Sequence, residues 1–384
     1  VKVAAYVGCL LGLALLITLV VRADLGAILH TWESGGWELL WLVPYRALYF
    51  LLYAIGWLLL LRPYNSDRRT DSNHRADFQR RADSEPRAAS NHRAGLGYLF
   101  WATTVREAVD RLLPVASVGG SVVGVRLLRW RGIAMAPAGA SVIVEIVLTL
   151  IVSYLFAGLG LLLLVELGAG GHDYHRLLLA FALTMPVPVI SLLLLRYGSV
   201  FARLQAFLRP WLGPLAHRMI GTLVGASGGA AGRASVRATA AASTTTGSWS
   251  SQAAALDRDL RATLRRGWTL LTAGGLQFAA LLMGSFEIWF ALRLFGHPVD
   301  AGVAVVLESL TQAVRHLAFV IPAGLGVQEA GLVLFGQAFG IGSELALAVS
   351  MAKRMREILC GLPALISWQL LEGRRIHRLL RDAS

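Results

Sequence analysis

The sequence predicts an all-α integral membrane protein with about six transmembrane helices and two re-entrant broken-helix hairpins arranged as an inverted repeat. Three observations predict it. Apolar residues make up 56% of the 384-residue chain and charged residues 15%, with a mean hydropathy of +0.60, whereas soluble domains run at roughly half apolar and a quarter charged. The apolar residues gather into runs of roughly 20, the length that crosses a hydrocarbon core of about 30 Å. Two weaker apolar segments, each broken at Pro and Gly, lie 208 residues apart in corresponding surroundings.

The first run, Val3 to Val21, follows Lys2 and so shares features with a secretory signal. No small-residue cleavage site follows it, and the sequence continues as VRADLGAILHTWESGG, so it reads as a retained first helix. The other strong spans are Leu39–Leu61, Ser141–Leu164, Leu177–Leu195, Trp268–Phe295 and Leu345–Leu371. Trp32, Trp37 and Trp41 stand where the second span begins, as interfacial aromatic anchors do.

Charge sets the expected orientation. The formal net charge is +13, from 36 Lys and Arg against 23 Asp and Glu, and only Lys2 and Lys353 among the basic residues are not Arg. The arginines concentrate in residues 62–95 and 197–266 and in the tail at Arg374, Arg375, Arg378 and Arg381. With six crossings and both termini cytoplasmic, all three regions fall on the cytoplasmic side of the membrane, and the short loops ELGAGGHDYH and GHPVD fall outside. Nucleic acid is not the expected partner, because the arginines flank apolar spans and no DNA- or RNA-binding signature is present.

The chain is read as a single transmembrane domain, 1–384, with repeat halves at 39–165 and 268–371. Residues 63–94 hold SNHRA twice, at Ser72–Ala76 and Ser90–Ala94, and residues 226–255 are mostly Ala, Ser, Thr and Gly. Both are expected to be flexible cytoplasmic linkers without chemistry.

The broken segments run from about Leu96 to Ile133 and from about Val299 to Ile341. At an offset of 208, Pro114 matches Pro322, Gly132 matches Gly340 and Ile133 matches Ile341. Each segment follows one span and precedes another, and the spans before them cross in opposite senses. The expected breaks are Pro114, Gly119 and Gly120 in the first and Pro322, Gly324 and Gly326 in the second. A break leaves backbone groups unpaired, which lipid does not tolerate, so both hairpins are expected to be buried and to line a polar cavity between the halves. Two further full crossings per half, with Pro and Gly as kinks, are the alternative.

Ionisable residues at membrane depth are site candidates by default. Arg106, Glu107, Asp110 and Arg111 lie on consecutive turns, so Arg106 can reach Asp110 and Glu107 can reach Arg111. Ser121, Arg126, Glu145, Arg315, Glu329 and Arg354 complete the expected substrate pathway, with Arg46, Glu308, His316 and Lys353 nearby. Ion-paired packing and ligand contact both remain open for each of them. Glu329 aligns with Ser121 at the same offset, one turn or so before Arg126, which places Arg126 and Glu329 together at the expected cavity. No hydrolase elbow, zinc-protease, nucleotide-binding or dinucleotide motif occurs, Cys9 and Cys360 lie in separate apolar runs, and the nine His are scattered. No catalytic residue, metal or cofactor is expected.

The stretches REAVDRLLPVASVGGSVVGVRLL and PAGLGVQEAGLVLFGQAFGI resemble the membrane region of lysylphosphatidylglycerol synthases, nearest to its hopanoid-associated HpnL branch. The resemblance covers most of the chain outside the two linkers. It implies a bacterial inner-membrane lipid translocase or flippase, with a hopanoid or phospholipid as cargo and lipid-synthesis or export proteins as partners. Full-length synthases carry a soluble aminoacyltransferase domain after the membrane part. The 384 residues reach only the end of the last span, so the resemblance does not bring that activity with it. Where the family usually has an acid after the first GG this sequence has Ser121, while Arg126 and Glu329 are kept. The competing readings are an intramembrane lipid-modifying enzyme with Glu107, Asp110 or Glu329 as general acid or base, and a scaffold for a lipid-biosynthesis complex.

Overall fold

The computed structural model describes residues 35–66, 94–113, 119–167, 179, 181–197, 254–318, 321 and 324–382. The expected first crossing, the breaks Pro114 and Pro322, and most of both linkers lie outside the described residues. Helix accounts for nearly all of the described chain, and no strand occurs within it.

A 3₁₀ turn, Trp37–Trp41, leads into α1, Leu42–Ser66. α2, Leu96–Leu112, and α3, Gly119–Trp130, form a first helical hairpin, which α4, Met135–Glu166, follows. α5 is the short apolar helix Pro186–Tyr197, and α6 occupies 254–264. α7, Gly267–Leu294, precedes a second hairpin made of α8, Ala301–Leu317, and α9, Val327–Gln337. α10, Ser343–Asp382, closes the sequence.

Among the described residues three helices are long and apolar enough to cross a membrane, Trp37–Arg62, Met135–Glu166 and Gly267–Leu294. They match three of the expected spans to within a few residues. The expected span at Leu177–Leu195 is only a shorter apolar helix where described, Phe181–Tyr197. The expected span at Leu345–Leu371 lies within a 40-residue helix whose first half carries Lys353, Arg354, Arg356 and Glu357, so it is not a plain apolar crossing. Residues 254 and 255, expected to belong to a linker, begin α6, whose Leu260 and Leu264 pack in a core with Leu60, Ala140, Val144 and Ala273.

The glycines of α3 explain why the first hairpin is tight. A Cβ on Gly120 would sit 2.4 Å from Asp110 Oδ2, and one on Gly124 would sit 2.7 Å from Arg106 Cδ. Small residues one turn apart let two helices approach closely without a side chain between them.

The two halves repeat at the level of single hydrogen bonds. α3 ends in a left-handed turn at Gly132, φ 76°, where the Gly132 N–H donates to the Arg129 carbonyl (3.0 Å) and the Ile133 N–H to that of Leu128 (3.3 Å). α9 is followed by the same turn at Gly340, φ 71°, with bonds from Gly340 to Gln337 (3.2 Å) and from Ile341 to Gly336 (3.0 Å). This is the Schellman pattern, which needs a residue with positive φ and so selects glycine. The next helix then starts alike, Ala138 bonding to Ala134 and Ala346 to Gly342.

Corresponding helices run antiparallel. Arg46 near the start of α1 meets Glu287 near the end of α7, Gly56 faces Ala273, and the Tyr64 hydroxyl near the end of α1 donates to the Asp259 carbonyl. Each hairpin packs on the long helix of the other half. α2 lies along α10 with Trp101 bonded to Ser367 at one end and Arg111 to Glu357 at the other. α8 lies along α4, with Gly302 against Leu167 and Ser309 against Gly160.

Two apolar cores show where the hairpins enter. Leu61 at the end of α1, Ala94 and Leu99 at the entry of the first hairpin, Leu127 and Leu128 at its exit, and Ala138 and Val142 of α4 share one cluster. Leu292 of α7, Val303 and Ala304 of α8, Leu332 of α9, and Ile341 and Ala346 share another. Each hairpin therefore enters and leaves at the same end of the bundle. Because α1 and α7 are antiparallel, the two hairpins enter from opposite ends.

Candidate functional site

The hairpins bring their tips to one cavity of about 340 Å³. Its charged lining is Arg106, Glu107, Asp110 and Arg111 of α2, Glu145 of α4 and Arg315 of α8. Ser121 of α3, Thr149 and Ser153 of α4, Gln312 and His316 of α8 and Gly324 at the second break add polar surface, and Ile146, Leu150, Leu281 and Ile321 add apolar surface. Side chains from the last turns of both first hairpin helices line the cavity together.

Within α2 the pairing differs in part from the i,i+4 expectation. Arg111 does reach Glu107, at 2.9 Å. Arg106 turns away from Asp110 to Glu145, at 2.6 Å, and its guanidinium lies 4.5 Å from the Trp57 ring centroid. Asp110 instead accepts a 2.8 Å hydrogen bond from the Gly120 N–H, an orphan donor in the first turn of α3. The carboxylate thus serves as the peg of the first break and has no ion-pair partner among the described residues.

Arg111 also joins a continuous chain of buried charges. Arg46 contacts Glu107 (3.3 Å) and Glu287 (3.5 Å), Arg111 contacts Glu357 (3.1 Å), and Arg356 contacts Glu287 (3.4 Å) and Glu357 (3.8 Å). Arg354 extends it from Glu357 (3.3 Å) to Glu329 (3.0 Å) and donates a further bond to the Gly324 carbonyl (3.2 Å). Four arginines and four glutamates are involved, so the chain is neutral. The network ties α1, α2, α7, α9 and α10 together behind the cavity. Desolvated ions are tolerable only when each finds partners of this kind.

Arg126 and Glu329 do not meet at the cavity, and neither lines it. Arg126 has a 58% exposed side chain that pairs with Glu372 of α10. Its position on α3 points it outward, because the inward face of that helix is held by Gly120 and Gly124 against α2. Glu329 is fully buried, accepts hydrogen bonds from Arg354 and Ser350, and sits on the far side of the second break. Arg354 likewise anchors that break and does not line the cavity. The offset of 208 is correct for the backbone, but it equates Ser121, which lines the cavity, with Glu329, which does not.

Glu287, Arg356 and Glu357 were not anticipated. Glu287 is the single carboxylate in the apolar span of α7, and Arg356 and Glu357 interrupt an apolar run of α10. A charge inside a span was the signal available for all three. Among the described residues no cluster of His, Cys, Asp or Glu could hold a metal.

The profile of the lysylphosphatidylglycerol synthase TM region matches residues 6–362, which include both hairpins, the cavity and the charge network. The chain belongs to the lysylphosphatidylglycerol synthase TM region family. It is a membrane protein of a lipid-related family, and the polar cavity between its hairpins lies within the part that defines that family. No curated protein and no solved structure matches the chain.

Proposed function

We propose that this member of the lysylphosphatidylglycerol synthase TM region family is a lipid translocase of the bacterial inner membrane, which moves a lipid between leaflets or toward export without changing its covalent structure. The observation that carries this reading is the polar cavity where two hairpins from opposite ends of the bundle meet. At about 1.5 Å per residue, helices of 17 and 12 residues in one hairpin and 17 and 11 in the other reach roughly 25 Å and 17 Å. These fall short of a hydrocarbon core of about 30 Å, so the hairpins are read as re-entrant. Inverted halves with broken helices at mid-membrane are the architecture of alternating access. The count of six crossings and the cytoplasmic placement of both termini complete the proposal, and the resemblance to the HpnL branch supplies a hopanoid or related lipid as the first cargo to test.

The enzyme reading has one group in its favour. Glu107 and Glu329 are tied to arginines, whereas Asp110 faces the cavity without one. Deletion of the gene, followed by mass spectrometry of separated inner and outer membranes, distinguishes the two. A translocase predicts unchanged lipid species with altered distribution. Loss of one species with accumulation of its precursor overturns the proposal, and the same loss in Asp110→Asn would then assign Asp110 as general acid or base. Orientation is read separately by an introduced cysteine at Ser84, which is expected to be protected from an impermeant reagent added from the periplasmic side.

A further inference from the structure

The charges lining the cavity sum to zero, with Arg106, Arg111 and Arg315 against Glu107, Asp110 and Glu145. Four of them cancel in pairs, Arg106 with Glu145 and Arg111 with Glu107. The remainder is one cation and one anion, Arg315 on the second hairpin and Asp110 on the first. Among the described residues neither has an ion-pair partner, and they do not pair with each other. The Arg315 stem is fixed in place, since a Cβ on Gly324 would sit 2.7 Å from its Cγ, while its Nη1 is buried with no hydrogen bond. Thr103 Oγ1, Arg106 Nε, Ser153 Oγ and Gln312 Oε1 line the same cavity and are also buried without partners. Buried polar atoms left unbonded cost free energy unless a ligand or water satisfies them.

We propose that the cavity binds a zwitterionic phospholipid headgroup of zero net charge, its phosphate on Arg315 and its ammonium on Asp110. Planar guanidinium suits phosphate through paired N–H donors, and a carboxylate with one oxygen already committed to the Gly120 N–H keeps the other for an ammonium. Ile146, Leu150, Leu281 and Ile321 line the same space and give acyl chains an apolar path out of it, which a soluble phosphate compound would not use. The assignment rests on reading the cavity as a lipid pathway, and it selects phospholipid over an uncharged polyol headgroup as cargo.

The test is equilibrium binding of short-chain lipids to the full chain in detergent, read by tryptophan fluorescence. The probes are dihexanoylphosphatidylethanolamine, the anionic dihexanoylphosphatidylglycerol, uncharged dihexanoylglycerol, and phosphoethanolamine without chains. The ethanolamine lipid is expected to bind tightest, about tenfold above each of the others, as one charge-assisted bond supplies. Arg315→Gln should weaken both phospholipids about tenfold and leave dihexanoylglycerol unchanged. Asp110→Asn retains the acceptor for Gly120, so it should weaken only the ethanolamine lipid. Each variant is compared at a melting temperature matching the parent, and Arg315→Lys, which keeps the charge, should recover part of the phospholipid affinity. Equal binding of dihexanoylglycerol, or equal binding of chain-free phosphoethanolamine, overturns the proposal. So does full recovery in the exchange Asp110→Arg with Arg315→Asp, because that outcome makes the two residues partners of each other in a closed state. Failure of these bindings with lipid movement intact in reconstituted vesicles would sink the headgroup assignment and leave the translocase reading standing.

Discussion

The two hairpins share a skeleton and differ in their chemistry. Both start with a 17-residue helix, both end in a Schellman turn at a glycine 208 residues from its counterpart, and both rest on the long helix of the other half. Glu145 of α4 and Lys353 of α10 stand at that same offset, and each anchors the first helix of its own hairpin. The polarity is reversed, since Glu145 holds Arg106 whereas Lys353 holds Glu308. The surroundings differ too, because Arg106 and Glu145 line the cavity and Glu308 and Lys353 are buried away from it. Backbone geometry is thus what the two halves share, and the choice of charge at each equivalent place separates a cavity pair from a packing pair.

The largest effect should come from the network that both halves share. Glu287→Gln removes the carboxylate between Arg46 and Arg356, and loss of one partner from a buried set costs roughly 3–5 kcal/mol. Unfolding in a denaturant series should show it, together with reduced abundance. A variant as stable as the parent would mean that the network is not a structural brace.

Next, the two anchors should separate by readout. Lys353→Met with Glu308→Met removes both buried charges, and the double variant should recover most of the roughly 3–5 kcal/mol lost by either single change, because an apolar pair can replace a buried ion pair. Arg106→Gln should lose lipid movement at near-normal abundance. If both pairs behaved alike, the contrast between cavity and packing would be wrong.

How legible this was in the sequence depends on what set each feature. The turns at Gly132 and Gly340 and the matching order of elements could be read directly, because a positive φ restricts the residue type. Arg106, Glu107, Asp110, Arg111, Ser121, Glu145 and Arg315 line the cavity, and the signal that makes them candidates in the sequence is polarity at membrane depth near a break. Arg126 and Glu329 were misplaced because the offset carries backbone position and says nothing of which way a helix faces its neighbours. The pairing of Arg106 with Glu145, and the part played by Glu287, depend on helix packing across long sequence separations, which no local spacing encodes.

A smaller effect is expected where the halves touch. A Cβ on Gly160 would lie 1.8 Å from Ser309 Oγ, so Gly160→Ala should force α4 and α8 apart at a cost of about 1–3 kcal/mol, and Ser309→Gly in the same chain should relieve it. A thermal melt of single and double variants decides it, and an undisturbed single variant would deny that the contact is tight.

The smallest effects should be a matched pair. Gly132→Ala and Gly340→Ala each place a Cβ in open space on a left-handed residue, so only the backbone penalty of roughly 1–2 kcal/mol applies. Equal losses in the two would sharpen the symmetry. Unequal losses would show that the turns carry different loads despite their shared hydrogen bonds.

The neutral chain of four arginines and four glutamates has an electrical consequence. A unit charge carried across a membrane potential does work of about 2.3 kcal/mol per 100 mV, so a brace of one sign would make any rocking of the halves voltage-dependent. Moved as a unit, this one carries no net charge through the field. The brace therefore adds no net gating charge as long as it moves as one body.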